Sequence, residues 1–427
     1  MGKICIVSGG MLPVPDVNGG AVEYLATELF RKLQSEQRHE VHVITIDAKN
    51  MEKDPCIHVV KTPAALGVLD RMVFFFGDRI KKDWRAMFYR RKYSTRYYKK
   101  QVAEILHRMD ADLVIVENNM SLLPAVCRGM GAQAFHKHCI YHAHSVLIDQ
   151  RSMLPWLRKC AAIVTVSDYV TSAFRKEKGL KDCRIMTVVN GVDIPGFQIP
   201  QKEKNRKRFR IKYHLPENAY LYLYSGRISP EKGVRELVEA FTQIQTEETA
   251  LVFAGASFSG AGGVSSYENE IHRMCKERRL KVFFLGYVPH EKIHEIYGLA
   301  DCLVIPSIVE EAGPLAALEG AASGLPIIAP SKGAVREYLG ERAVYYDIAE
   351  GTGSELKNKM QYVRSSNLKN DPDREFVSRF SIHSYTKRIM DTVEPMIRRH
   401  CERQNLQNEN NESEKDRMDR SRNIVFQ

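Results

Sequence analysis

Four short clusters in this 427-residue chain carry residue types able to do chemistry. The first is the loop SGGMLPVPDVNGG, where Gly19 and Gly20 end the loop and open a helical stretch. Glycines let the backbone approach a ligand, and free N–H groups at a helix start attract an anion. A plain turn is the alternative. The second is SGRISPEKG, with Arg227 and Lys232 five residues apart across Pro230. Two cations there can clamp a diphosphate, Arg by its fork and Lys as a point charge. A solvated charged loop would read the same way. The third is PSIVEEAGPLAALEG, with Glu311 in a loop and Glu319 eight residues on, two turns into an apolar helical stretch. A carboxylate on that face needs a partner, because burying one unpaired is costly. Sugar hydroxyls are suitable donors, and a salt-bridged core Glu is the plainer reading.

The fourth cluster is YHAHS, with His142 and His144 at i, i+2. Such a pair can bind metal, but no third ligand is evident nearby. The two DxD patterns are poor metal sites: Asp110-Ala111-Asp112 precedes a strand, and Asp371-Pro372-Asp373 lies in a late polar loop. No metal and no cofactor are therefore expected. The glycine spacing is neither GxGxxG nor GxxxxGK[ST], which speaks against a dinucleotide-dependent oxidoreductase and a P-loop ATPase.

These clusters follow short apolar runs: Ile4–Ser8, Val41–Ile46, Leu113–Glu117, Cys139–His142 and Ile163–Ser167, then Tyr220–Tyr224, Leu251–Ala254, Val282–Leu285, Cys302–Pro306 and Ile327–Ala329. The runs lack polar alternation, as strands buried on both faces do. Amphipathic stretches lie between them. In Ala21–Leu33, residues Val22, Leu25, Ala26, Leu29 and Leu33 share a helical face. The pattern predicts an α/β protein of two Rossmann-like domains facing across a cleft, with parallel sheets. The expected division is 1–195, a linker at 196–210 (GFQIPQKEKNRKRFR), 211–379, a C-terminal helix at 380–401, and a disordered tail from 402 to 427.

Composition fits that scheme. Hydrophobic residues are 44% and charged residues 27%, ordinary for a protein with sizeable cores. No apolar run approaches the roughly 18 residues of a membrane span, and the first residues do not read as a signal peptide. Nine scattered cysteines without a CxxC pair suit a reducing, cytoplasmic setting. The net charge of +11 is concentrated in Arg79–Lys100, which holds ten basic residues and one acid. That argues against a nucleic-acid-binding protein and for one attractive patch. Cations interleave there with Ile80, Trp84, Met87, Phe88, Tyr89, Tyr93, Tyr97 and Tyr98, after the apolar run Met72–Phe76. Ile80, Trp84, Met87 and Phe88 share one helical side, as in a helix lying on an anionic membrane surface. A solvated, partly buried helix is the alternative.

Taken together, the clusters resemble the GT-B-fold, retaining, nucleotide-sugar glycosyltransferases of family 4, over roughly residues 3–395. The most specific parts are Gly226–Lys232 and Glu311–Glu319, the latter followed by Ala322-Ser323-Gly324-Leu325-Pro326. Val189-Asn190-Gly191-Val192-Asp193 and Val166-Ser167 also match the family's pattern. The resemblance implies that Arg227 and Lys232 hold the donor's diphosphate. It implies that Glu311 holds donor-sugar hydroxyls and Glu319 the ribose. Gly19 and Gly20 would offer backbone to the phosphate, His144 would face the donor sugar, and the Gly313–Leu315 backbone would meet the sugar. Ala312-Gly313-Pro314 stands where many members have Pro-Phe-Gly, and Glu310 is a possible substitute for Glu311. The acceptor implied is a cell-envelope glycan or a lipid-linked sugar. The competing readings are a structural or binding protein on the same fold, such as a spore-coat component, and another GT-B enzyme, an epimerase or a phosphorylase. A degenerate member should have lost Arg227, Lys232 or the Glu pair, and this chain keeps them.

Overall fold

Strands buried on both faces need helices on both sides, and the chain supplies them by alternating the two. The computed structural model describes residues 2–49, 51, 53–77, 92–147, 151–200, 202–257, 264–347, 352–366, 368 and 370–397. The first domain is a seven-stranded sheet in the order β3-β2-β1-β4-β5-β6-β7. Its strands are β1 (Lys3–Val7), β2 (Glu40–Ile46), β3 (Ile57–Val60), β4 (Leu113–Glu117), β5 (Cys139–Ala143), β6 (Ala162–Thr165) and β7 (Ile185–Thr187). The second is a six-stranded sheet in the order β10-β9-β8-β11-β12-β13. Its strands are β8 (Tyr220–Ser225), β9 (Thr249–Ala254), β10 (Val282–Phe284), β11 (Cys302–Val304), β12 (Ile327–Pro330) and β13 (Val344–Tyr346). All the pairings are parallel. Both sheets reverse strand order at their centre, between β1 and β4 and between β8 and β11. Ligands of open α/β sheets bind at such switch points, beyond the carboxyl ends of the strands.

The expected strands are present. Three further ones, β3, β7 and β13, border the sheets; they are three or four residues long. The stretch expected as a linker is not all loop. The helix Lys202–Lys212 occupies much of it. Arg210 is almost wholly buried and binds Asp301, with its guanidinium also donating to the carbonyls of Leu299, Glu217 and Ala219. Every nitrogen of that fork is satisfied, so a buried charge is tolerated; removing one partner of such a pair costs roughly 3–5 kcal/mol.

The C-terminal helix, residues 382–397, returns to the first domain. Glu394 meets His39 at 2.9 Å, and Ile382 N–H donates to Val192 at 2.9 Å. Gly191 is required for this approach, since a Cβ there would stand 2.6 Å from the Cβ of Tyr385.

Of the basic stretch, residues 79–91 lie outside the described residues, and so do the face of Ile80, Trp84, Met87 and Phe88 and the tail from 402. Its end, from Lys92, opens the helix Lys92–Met109, capped by Asp70, which accepts from the amides of Tyr93 and Ser94. Tyr98 is a core residue: it is buried, with its hydroxyl bonded to Ser8 and donated to the Ile44 carbonyl. Among the described residues, no helix is long and apolar enough to cross a membrane.

Candidate active site

The loops after β8 and β11 leave adjacent strands at the second switch point, and they bring two of the expected residues together. Lys232 Nζ donates to both carboxylate oxygens of Glu311, at 2.7 and 2.8 Å. Ser307 Oγ binds the same carboxylate. Lys232 sits in a single turn after Pro230, and Gly233 follows with φ 67°, which lets the chain turn straight into the helix Val234–Thr242. Arg227 is half exposed and donates to Glu231 at 3.0 Å. The two neighbouring glutamates have different partners. Glu311 faces Lys232, whereas Glu310 accepts from the hydroxyl of Tyr169, a first-domain residue, at 2.6 Å.

Glu319 lies on the helix Leu315–Ala322 and is buried. Its two oxygens are taken by Tyr297 Oη at 2.6 Å and His290 Nε2 at 3.2 Å. Burial pushes His290 down, but the Glu319 carboxylate outweighs it and holds its pKa above the usual value. His290 also stacks on Tyr24 of the first domain, with ring centroids 3.8 Å apart. Glu319 is therefore partnered within the protein, at the seam between the domains.

That seam runs past Gly313. Ser167 Oγ donates to the Ala312 carbonyl at 2.6 Å, and Asn190 Nδ2 donates to the Gly313 carbonyl at 2.9 Å. The Val166-Ser167 and Asn190-Gly191 segments thus hold the loop that leads from Glu311 to Leu315. A Cβ on Gly313 would press on Tyr338 and Asn190.

On the first-domain side, Gly20 precedes the helix Ala21–Glu36 with φ 108°. A Cβ on Gly20 would run into Glu23 Oε2, and one on Gly19 into the ring of Tyr287 from the second domain. Glu23 was not singled out in the sequence. It is 9% exposed, and burial raises its carboxyl to about 7 against its own amide's hydrogen bond, with Glu117 and Asp16 adding repulsion. An acidic residue in a first helical turn usually reads as a dipole partner, and only the fold shows that this one is buried.

His144 follows β5, as expected, but its Nε2 turns to Glu117 Oε2 at 3.0 Å. His142 Nδ1 meets the same oxygen at 3.0 Å. The histidine pair therefore does have a third ligating group nearby, contrary to the reading from sequence. The reason is register: Glu117 on β4 is paired with His142 on β5, although 25 residues separate them. Burial pushes Glu117 up, but the two histidines outweigh it and hold it down to about 2. Burial, then His142, lowers His144 to about 4, against the pull of Glu117. His144 is a neutral imidazole near pH 7.

The comparisons with known proteins agree with this architecture. The family model for glycosyl transferases group 1 matches residues 205–375, and that for glycosyltransferase family 4 matches residues 18–194. The two together cover most of the chain, which belongs to this family of GT-B-fold glycosyltransferases. The chain is 27% identical over 246 residues to a lipopolysaccharide 1,2-N-acetylglucosaminetransferase of Salmonella typhimurium, covering 57% of this chain and 61% of that protein. It is 27% identical over 396 residues to spore coat protein SA of Bacillus subtilis, covering 89% of this chain and 93% of that one. Among solved structures, Anabaena HepE in complex with UDP and glucose superposes with a TM-score of 0.68 at 17% identity, over 92% of this chain and 100% of that one.

Proposed function

We propose that this glycosyltransferase moves a sugar from a nucleotide-diphosphate sugar to a cell-envelope glycan or lipid-linked acceptor, with retention of configuration and without a metal. The observation that carries the reading is the Lys232–Glu311 pair at the second switch point, beside Arg227. The diphosphate of an incoming donor would take over Lys232 and draw in Arg227, freeing Glu311 to accept from sugar hydroxyls. Breaking the sugar–phosphate bond gives an oxocarbenium-like centre and a diphosphate leaving group. Lys232, the recruited Arg227 and helix N-termini would meet that negative charge in place of a metal. No pair of carboxylates flanks the scissile bond in this reading, and what the family resemblance implies is a front-face substitution, in which the acceptor attacks from the face the diphosphate leaves and the phosphate helps take its proton. Neutral His144 would face the donor sugar, Gly19 and Gly20 the phosphate, the Gly313–Leu315 backbone the sugar, and Glu319 the ribose. The HepE complex with UDP and glucose supports a nucleotide-sugar donor, and the Salmonella relative a cell-envelope acceptor. The test is purified protein offered a panel of nucleotide sugars with and without candidate acceptors. Nucleotide release and an NMR-assigned anomeric linkage matching the donor's are expected; an inverted linkage would remove the front-face mechanism.

A non-enzymatic coat role, suggested by the likeness to spore coat protein SA, is the second reading. The intact Lys232–Glu311 constellation favours the enzyme.

We further propose that the protein works at the inner face of the membrane through its basic stretch. The helix Ala64–Gly77 supports this, with Val68, Leu69 and Met72 exposed just before it in the chain. Each basic residue near an anionic leaflet contributes about 1 kcal/mol. Co-sedimentation with anionic vesicles at low salt, lost at high salt, is expected; equal recovery in every supernatant would end this part of the reading.

A further inference from the structure

Glu117, His142 and His144 form a compact triangle at the carboxyl ends of β4 and β5. Glu117 Oε2 lies 3.0 Å from His142 Nδ1 and 3.0 Å from His144 Nε2, and the two nitrogens are 3.2 Å apart. Their side chains are only 1%, 1% and 5% exposed. These three groups are the metal-capable cluster found among the described residues.

Hydrogen bonding accounts for each nitrogen meeting the carboxylate. The two nitrogens can bond each other only in a tautomer where one gives up its proton, and that nitrogen then turns a lone pair toward the carboxylate. If both donate to Glu117, two N–H groups lie side by side with no acceptor between them. A cation removes that conflict, because all three atoms then offer lone pairs to one centre. The size is right. Zinc-class ions hold nitrogen and carboxylate ligands at about 2.0–2.2 Å in a tetrahedron, which sets ligand atoms about 3.3–3.6 Å apart. The triangle needs to open by only a few tenths of an ångström. Two imidazoles and one carboxylate are a borderline donor set, suited to zinc, cobalt or nickel and poor for magnesium or calcium. Three ligands leave one position open.

We propose that Glu117, His142 and His144 form a transition-metal site, and that an ion bound there inhibits the transferase. The ion would hold the His144 ring and set two positive charges beside a sugar whose reaction centre becomes positive, which raises the barrier. Only this inhibitory half rests on the function proposed above; the binding half stands on the triangle.

The experiment uses the full chain, freed of metal with chelator and then titrated with cobalt(II). The expected result is a visible absorption of the tetrahedral type that saturates at one ion per chain, is displaced by zinc and is untouched by magnesium. His142→Ala and, as a milder change, His142→Gln should weaken binding at least about tenfold, with the fold checked by circular dichroism. No saturable signal, or an unchanged one in both folded variants, overturns the site. In the same preparation, zinc should lower nucleotide release at least about tenfold, EDTA should restore it, and the His142 variants should lose that sensitivity. Tight zinc binding with undiminished turnover overturns the inhibition. Metal binding by a protein that turns over no nucleotide sugar would leave the site standing and count against the transferase reading instead.

Discussion

The two domains present the same topological position with opposite chemistry. At the second switch point, beyond β8 and β11, a cation and a carboxylate face each other: Lys232 is 27% exposed and Glu311 11%. At the first, beyond β1 and β4, two glycines lead into a helix, and the carboxylates nearby, Glu23 and Glu117, are buried. The second site is loaded with charge that a diphosphate can recruit. The first is built to approach closely and to hold a neutral imidazole in place. One fold thus supplies a charged clamp and a tight, low-dielectric wall, and what sets them apart is which residues end the central strands.

Lys232→Ala is the sharpest way to break the comparison. It removes a charge-assisted contact worth roughly 1.5–3 kcal/mol and leaves the Glu311 carboxylate without its cation, held by Ser307. Donor turnover should fall at least about tenfold with the circular dichroism unchanged. Arg227→Ala should also cost at least about tenfold but leave thermal stability nearly unaltered, since the Arg227 side chain is half exposed and, among the described residues, bonds Glu231. Comparable melting losses in the two variants would show that the clamp is structural.

Glu319→Gln sharpens the seam between the domains. If the carboxylate serves the ribose, the donor KM rises several-fold while kcat changes little. A lower melting temperature with an unchanged KM would make it only a partner of Tyr297 and His290.

Glu23 tests the low-dielectric wall. A carboxyl raised to about 7 by burial binds a proton more tightly in the folded than in the unfolded state. Its contribution is complete below the ordinary carboxylate range and is lost as pH rises through about 7. Glu23→Gln should therefore melt higher than the wild type at pH 8, by an amount on the order of 1–3 kcal/mol, and the gap should close by pH 5. A gap independent of pH would contradict the burial argument. The smallest expected effect is none: turnover should persist in excess EDTA. Loss on chelation with recovery on adding a divalent ion would break the metal-free account of the clamp.

The second domain was the more legible from sequence. Arg227, Lys232, Glu311 and Glu319 lie in two short runs that end strands and begin helices, so residue type and local spacing carried the signal. The first domain's wall was legible only in part. Gly19, Gly20 and His144 stood out, but Glu117 reaches the histidines through the pairing of β4 with β5, and no local spacing records that register. The edge strands β3, β7 and β13 were not singled out from the surrounding loops. The helix Lys202–Lys212 read largely as linker because its polar residues hide a buried Arg210, whose ion-pair partner Asp301 lies far along the chain.

The most direct test of the central claim, that the Lys232–Glu311 corner receives the donor's diphosphate, is nucleotide release from a panel of nucleotide sugars by the wild type and by the Arg227→Ala, Lys232→Ala double variant. The wild type should release nucleotide from at least one donor, and the folded double variant should be slower by about a hundredfold, the product of two tenfold losses. Full activity in the double variant would contradict the assignment of the site.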